Sequence, residues 1–347
     1  MVASKAIDLN HYLHQKKPLW NILAILYTLS SYGIAIGLIL LPNGWLNVIG
    51  VILLTHSLTI SAYLAHEFIH GNVFSNMLWN AVGGNLMLWL NGGCYIRFQE
   101  LMRMHIAHHV NRIDYCRFDI AAFLQSIPAP LRLTFLGLEW LYFPSLAFLL
   151  RIRLMLAPFR QLERKDERLR VTLIALVRGF LFTLLGIVSF KALVLYFLAY
   201  IGMTHILRFM DAFQHTYESL PVGVPLPKYI QEVSPEEARA YEQANTFSNI
   251  ISKRYRWLNL LLLNFGYHNA HHELMKCPWY YLPELDRQLY FNKENHYITL
   301  PELLINYHRF RLSRIFTGQG EAVDNHGNRQ LETFYGAIEV SFLVVPF

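Results

Sequence analysis

The sequence predicts an all-α integral membrane protein: two transmembrane helical hairpins, giving four spans, topped by a cytoplasmic helical cap. Three observations carry this. Of the 347 residues, 54% are hydrophobic and 16% charged, against about 25% charged in a soluble globular chain. The apolar residues are concentrated in long segments of the length a bilayer-crossing helix needs, about 20 residues. Basic residues gather on one side of the topology that those segments define.

The first hairpin pairs Leu19–Leu41 with Trp45–Ala65, neither of which carries a formal charge, and a Pro-Asn-Gly turn joins them. The second pairs Val171–Ile187 with Ala192–Leu207. Arg178 lies inside the former, where an arginine is expensive unless it snorkels, faces a polar cavity or marks a shifted boundary. Between the hairpins, Met77–Leu90 holds two asparagines and Leu131–Leu150 holds Arg132, Glu139 and Pro144. Both are read as interfacial or re-entrant, because a single crossing by either would separate the histidines before it from those after it.

The turn at Leu41–Trp45 has no basic residue, whereas Lys5, Lys16 and Lys17 precede the first span and the segment from His66 to Arg170 is rich in arginine. The positive-inside rule therefore places the N-terminus, this middle segment and the C-terminal third in the cytoplasm. The net charge of +6 is a topology and headgroup signal, and no stretch reads as a nucleic-acid module. The first apolar stretch is too long for the core of a cleavable signal peptide. Cys94, Cys116 and Cys277 suggest no disulfide framework. No repeat or linker divides the chain, so residues 1–347 are read as one domain. Its core covers about 19–285, and 286–347 form a C-terminal cytoplasmic tail whose final SFLVVPF is a candidate membrane contact.

The 16 histidines carry the functional signal. His66-Glu67-Phe68-Ile69-His70 fits HExxH, in which two histidines one turn apart bind zinc and the glutamate activates water. Two further clusters, His105-Ile-Ala-His108-His109 and His268-Asn-Ala-His271-His272, both have the form HxxHH. On a helix, positions i, i+3 and i+4 share a face, so each cluster aims three imidazoles at one point. One HxxHH arises by chance roughly 0.03 times in such a chain. Eight convergent nitrogens exceed the four or so that one zinc takes. Imidazole suits borderline first-row metals better than magnesium or calcium. Two irons with open positions are the natural choice for O2 chemistry, making a histidine-rich di-iron site the best inorganic reading. Soluble carboxylate di-iron bundles need two Glu-x-x-His motifs, and Glu67–His70 is the only one here.

HxxxH, HxxHH and HxxHH in order around two hairpins resemble the membrane-bound fatty acid desaturase superfamily, and LNFGYHNAHH (Leu263–His272) followed by PWYYLPEL resembles its third box. The resemblance runs from the first span to about Leu285. It implies a mushroom-like helical domain with a cytoplasmic di-iron site that uses O2 and two electrons to oxidise an unactivated C–H bond of an acyl chain. It makes His66, His70, His105, His108, His109, His268, His271 and His272 iron ligands. The expected activity is desaturation of a fatty acyl chain that is free, lipid-linked, or carried on CoA or a carrier protein. Hydroxylation, or decarboxylation to a terminal alkene, on the same scaffold is the alternative. After the third box the chain reads HH-Glu-Leu-Met-Lys-Cys-Pro-Trp instead of the common HH-Leu-Phe-Pro, which leaves the outcome on the substrate open. A zinc metalloprotease using HEFIH is a distant alternative that leaves six clustered histidines unused. A metal transporter is disfavoured because the clusters lie outside the spans.

Sites of this kind often take one further ligand, and His215, just past the second hairpin, is the candidate. His205 lies deeper in the span. His56 is ten residues before His66, roughly 15 Å along the helix, and is read as a packing or tunnel-lining residue. His11, His14, His296, His308 and His326 belong to no cluster and are read as surface histidines. Glu67, at i+1 between two ligands, points off the metal face and orients a neighbour. Asp114, Asp119 and Glu273 are candidate acceptors for ring N–H groups of the ligands, and Asn72 is a candidate for binding water or the acyl head. Arg97, Arg103 and Arg112 around the second box, and Lys253, Arg254 and Arg256 before the third, are candidates for an anionic head group or an acidic carrier. No haem, flavin or iron–sulfur motif is apparent, so electrons are expected from a separate ferredoxin or cytochrome.

Overall fold

Helices dominate the structure, a computed structural model that describes residues 9–338 except 15, 117, 232, 291–296 and 325–328. A short α1 (Leu9–His14) precedes α2 (Pro18–Leu40) and α3 (Gly44–Ile69). Pro18 opens α2, where its missing N–H costs nothing. The turn to α3 is built by asparagines. Asn43 caps α3 by accepting from the Leu46 N–H at 3.1 Å, and Asn47 donates to the Leu38 and Leu41 carbonyls at 2.8 and 2.9 Å. Those carbonyls end α2 and have no intrahelical partner.

α3 is the central helix. In its apolar window 61% of residues are buried, against 28% in α2, so α2 lies outside it. From Ser57 to Ile69 every α3 residue is buried, which suits a helix apolar on all sides. α4 (Met77–Asn91) crosses α3 closely, and α5 (Phe98–Asn111) packs beneath both. The crossing needs Gly83 and Gly84, whose space is filled by the rings of Phe68 and Phe98. The expected interfacial segment Met77–Leu90 is thus one continuous helix, with Leu78, Trp79 and Val82 exposed along one side.

A short strand β1 (Asp114–Cys116) and α6 (Ile120–Ser126) lead to α7 (Ala129–Trp140) and α8 (Ser145–Arg160). These two helices meet at 116°, so the stretch Leu131–Leu150 is broken in the middle. Glu139 holds the bend, its Oε1 accepting from the Leu146 N–H at 2.8 Å and the Ser145 hydroxyl at 3.1 Å.

α9 (Arg168–Val188) and α10 (Phe190–Asp211) are longer at both ends than the expected second pair. Among the described residues, four helices are long and apolar enough to cross a membrane: α2, α3, α9 with the turn before it (Leu162–Val188), and α10. Arg178 of α9 donates to the Trp89 carbonyl at 2.6 Å. Arg151 donates to the Gly92 carbonyl at 2.9 Å, and Arg170 to those of Cys94 and Tyr95 at 3.0 and 2.6 Å. Arg178 therefore belongs to a group of three arginines at the C-terminal end of α4, where the helix dipole and its unpaired carbonyls are negative.

Beyond α10, β2 (Ser219–Pro221) pairs in parallel with β1, a small sheet not expected in an all-α chain. α11 (Lys228–Gln231), α12 (Pro235–Asn245), α13 (His268–Glu273), α14 (Leu282–Leu289), α15 (Leu300–Arg309) and α16 (Arg314–Thr317) follow. The stretch expected as a tail packs back on the body: Ile298, Leu303, Ala322 and Phe334 form a buried cluster with Phe213 and Phe247. His296, His326 and SFLVVPF lie outside the described residues.

A Cβ at Gly84 would stand 2.1 Å from a ring carbon of Phe98, which is 1% exposed and has nowhere to move. Gly84→Ala is expected to destabilise by about 1–3 kcal/mol and lower the melting temperature in detergent. Gly33→Ala, with nothing within 4 Å, is expected to leave it unchanged or raise it slightly.

Candidate metal centre

Nine histidines from four elements meet in the interior. His66 and His70 stand at the C-terminal end of α3. His105, His108 and His109 share one face of α5, and His268, His271 and His272 make up half of α13. His215 comes from the loop just past α10, where a bridge to Thr246 pins its backbone. Gly266 lets the chain turn into α13: a Cβ there would meet the Asn249 and Ile250 backbone at 2.9–3.1 Å.

The ring nitrogens fall into two neighbouring groups. Those of His66, His70, His105, His109 and His271 lie within 4.8 Å of one another, and so do those of His108, His215 and His272. His268 adjoins the second group, its Nε2 2.6 Å from that of His215. Elsewhere Nε2 faces Nε2, at 2.9 Å between His70 and His105 and 3.1 Å between His271 and His109. The second pair links the α5 cluster to the α13 cluster.

Burial, helped by the neighbouring imidazoles, holds His70, His105, His109, His215, His268 and His272 well below the ordinary histidine range. His271 is pushed down to about 3, again mainly by burial. All are thus neutral near pH 7, the form that offers a lone pair. Outer partners set the tautomer where they exist. His108 Nδ1 donates to the Ile113 carbonyl at 2.8 Å and lies 3.3 Å from Asp114 Oδ1. His272 Nδ1 donates to Glu242 Oε1 at 3.1 Å. A proton on Nδ1 leaves the Nε2 lone pair pointing inward. Neutral imidazole nitrogens converging from several elements form a set of lone-pair donors. The donor set therefore fits metal ions that accept imidazole.

Glu67, Asn72 and Asp114 lie beside the cluster. Glu67 is turned away from the Nε2 cluster: its Oε2 accepts from Asn72 Nδ2 and the Trp279 N–H, both at 3.2 Å, and Oε1 lies 3.4 Å from His66 Nδ1. It is therefore spent on positioning, and Asn72 serves it instead of facing an open site. Asp114 stands between two histidines, with His215 Nδ1 at 3.7 Å.

Other expectations need correction. Asp119 caps α6, accepting from the Ala122 N–H at 2.8 Å, and Glu273 pairs with Arg239 at 2.7 Å, so neither carboxylate serves a ring of the cluster. Arg97 is paired with Asp166 at 2.5 Å, and Arg112 with Glu242 at 3.2 Å. Arg103 and Arg254 are exposed and line no part of the recess beside the histidines. His205 sits apart, 2.5 Å from the Tyr142 carbonyl, and His56 lies 2.9 Å from that of Leu261.

Sequence reasoning missed Glu242. It lies in the charged run EEARAYEQAN, which reads as a solvated helix face, and its one signal is its i+4 spacing from Ala238 on the buried stripe of α12. It also missed Tyr217, whose ring stacks on His215 at 4.7 Å and whose hydroxyl lies 3.3 Å from His272 Nδ1. A recess beside the histidines is walled by Met104, Tyr115, Asp211, Gln214 and Phe265 together with His105, His108, His215 and His268.

Glu242→Gln is expected to weaken metal binding roughly 10–100-fold, the usual effect of losing a carboxylate behind a ligand histidine. Asp119→Asn and Glu273→Gln are expected to leave it unchanged. Metal titration of the apoprotein, read by elemental analysis, separates the three.

A scan against known protein families matches residues 43–300, about three quarters of the chain, to the fatty acid desaturase family. A search of the curated proteins finds no match. The matched region spans all three histidine clusters and His215, and on the strength of that coverage the chain belongs to the fatty acid desaturase family.

Proposed function

We propose that the chain is an O2-dependent fatty acyl desaturase working through two irons, held by the nine clustered histidines. The observation that carries this reading is the division of the ring nitrogens into two adjacent all-histidine groups. One zinc would leave half of them without a role. His66, His70, His105, His109 and His271 hold one iron in this reading, and His108, His215, His268 and His272 the other. Bound there, the two irons supply the O2 activation and C–H oxidation that no side chain can perform.

The chain's own residues do the rest. Asp114, Glu242 and Glu67 orient imidazoles from behind, so that ring tautomers are set before any substrate arrives. Phe265, 5.0 Å from the His66 ring and 4.5 Å from the Tyr63 ring, closes the side towards α3 and keeps water from it. Met104 and Phe265 give the recess apolar wall for an acyl chain lying beside the histidines. The HEFIH stretch lacks the free glutamate that a metalloprotease needs, because Glu67 is committed to Asn72 and Trp279.

The site lies at the ends of α3 and α10 on one face. The arginine-rich middle segment makes this face cytoplasmic. An external ferredoxin or cytochrome then delivers electrons there, and residues 1–347 act as a single domain in a multi-pass membrane protein.

Iron-loaded protein given O2, reduced donor and a defined acyl substrate is expected to form a product lacking two hydrogens, and chelation is expected to abolish it. Mass analysis distinguishes this from oxygen insertion and from loss of CO2. Either of the latter as the main product would overturn desaturation while keeping the metal site.

A further inference from the structure

A chain of polar contacts joins the segment before α13 to the middle of the first helix pair. The Tyr27 hydroxyl of α2 donates to His56 Nδ1 of α3 at 2.5 Å. The other ring nitrogen of His56 then carries the proton and donates to the Leu261 carbonyl at 2.9 Å. Leu261 belongs to the 3-10 helix Arg256–Leu262, which packs against α3.

The depth of this contact follows from α2. The helix has 23 residues, a length of about 35 Å against about 30 Å of bilayer hydrocarbon. Lys16 and Lys17 stand at one end and the Pro-Asn-Gly turn at the other, so little of its length protrudes. Tyr27 lies nine residues from Pro18 and thirteen from Leu40, about 14 and 20 Å from the two ends. The Leu261 carbonyl therefore sits on the order of 10 Å inside the hydrocarbon boundary on the histidine side. The five residues from Arg256 to Leu261 rise by about 10 Å as 3-10 helix. Lys253, Arg254 and Arg256 are exposed at its start. Charges at headgroup depth and Leu261 in the apolar layer are thus mutually consistent.

Side chains and backbone agree with that depth. Trp257, Leu260 and Leu261 are 64%, 42% and 45% exposed, whereas the polar groups turn inward. Buried Asn259 accepts from the Ile251 and Ser252 N–H groups at 2.7 and 3.2 Å and donates to the Ser252 carbonyl at 2.9 Å. The Asn264 N–H returns to the Asn259 carbonyl at 2.9 Å. Irregular backbone is tolerated at membrane depth only where protein satisfies its polar groups. A histidine within a span, committed to one carbonyl, meets that demand.

We propose that the 3-10 helix Arg256–Leu262 is a re-entrant element immersed in the acyl chains of the leaflet on the histidine side. Lys253, Arg254 and Arg256 lie among the headgroups of that leaflet, and the Tyr27–His56–Leu261 chain anchors the element from within. The third histidine cluster, which begins six residues after Leu262, is thereby tied to the bilayer as well as to its neighbouring histidines. Nothing in this placement depends on which metal or reaction those histidines serve.

The test is the accessibility of nitroxide spin labels on the full-length protein in phosphatidylcholine nanodiscs. Cys94 and Cys277 are buried, so Cys116→Ser provides a background free of reactive thiol. Leu260→Cys and Leu261→Cys probe the element. Ile34→Cys, on the exposed side of α2, reports hydrocarbon, and Ala240→Cys, on the exposed side of α12, reports water. Hydrocarbon admits O2 and disfavours a polar nickel chelate. The ratio of O2 to chelate collisions at Leu260 and Leu261 is expected to match that at Ile34 within about twofold and to exceed that at Ala240 at least about fivefold. Two adjacent exposed positions keep the test valid if one variant fails to fold. A ratio like that at Ala240, or labels shielded from both reagents alike, would overturn the proposal. The readout is position and not activity, so its failure leaves the two-iron reading intact, and failure of iron loading leaves this placement intact.

Discussion

Imidazoles packed with ring nitrogens 2.6 to 3.2 Å apart can share an interior only if each ring stays uncharged and each is aimed. Burial provides the first condition by disfavouring the imidazolium form. Aiming is provided by rigid elements: one end of the central helix, one face of α5 and a short helix that glycine backbone geometry places against the Asn249–Ile250 strand of chain. Much of the remaining architecture follows from this requirement. α3 is buried on all sides where it approaches the cluster, and the parallel β1–β2 pair draws the loop after α5 to the loop after α10. That contact brings Asp114 between His108 and His215.

A second constraint comes from the membrane. Backbone groups without partners are costly in hydrocarbon, and the structure answers with side chains taken from distant segments. Asn47 closes the end of α2, and three arginines close the end of α4. Arg178 looked anomalous within an apolar span, yet its partner is a carbonyl from 89 residues earlier. The same reasoning separates the two arginine groups in the molecule. Those at α4 meet the carbonyls of a helix terminus, whereas Arg208 meets the carboxylate of Glu139 at the α7–α8 bend.

What could be read from the sequence was whatever depends on local period. The apolar runs identify four helices of spanning length, and the i, i+3, i+4 spacing of His105, His108 and His109 places them on one face. His215 is a lone histidine, found from its position just past the fourth apolar segment. Partners defined by three-dimensional packing were harder to read. Asp119 and Glu273 follow the histidine boxes closely, but their side chains turn to a helix N-terminus and to Arg239. Glu242, which does meet His272, comes from a helix that looks solvated in sequence. Adjacency along the chain says little about which carboxylate stands behind a given ring. The bend at Tyr142, in a left-handed conformation, likewise had no glycine to announce it.

The most direct test of the central claim is to count metals on intact chains by native mass spectrometry. The wild type, His70→Ala and His272→Ala would be compared after iron loading. The account expects two irons in the wild type and loss of one in each variant, because the two histidines belong to different groups. A single zinc, lost with His70 and indifferent to His272, would contradict it.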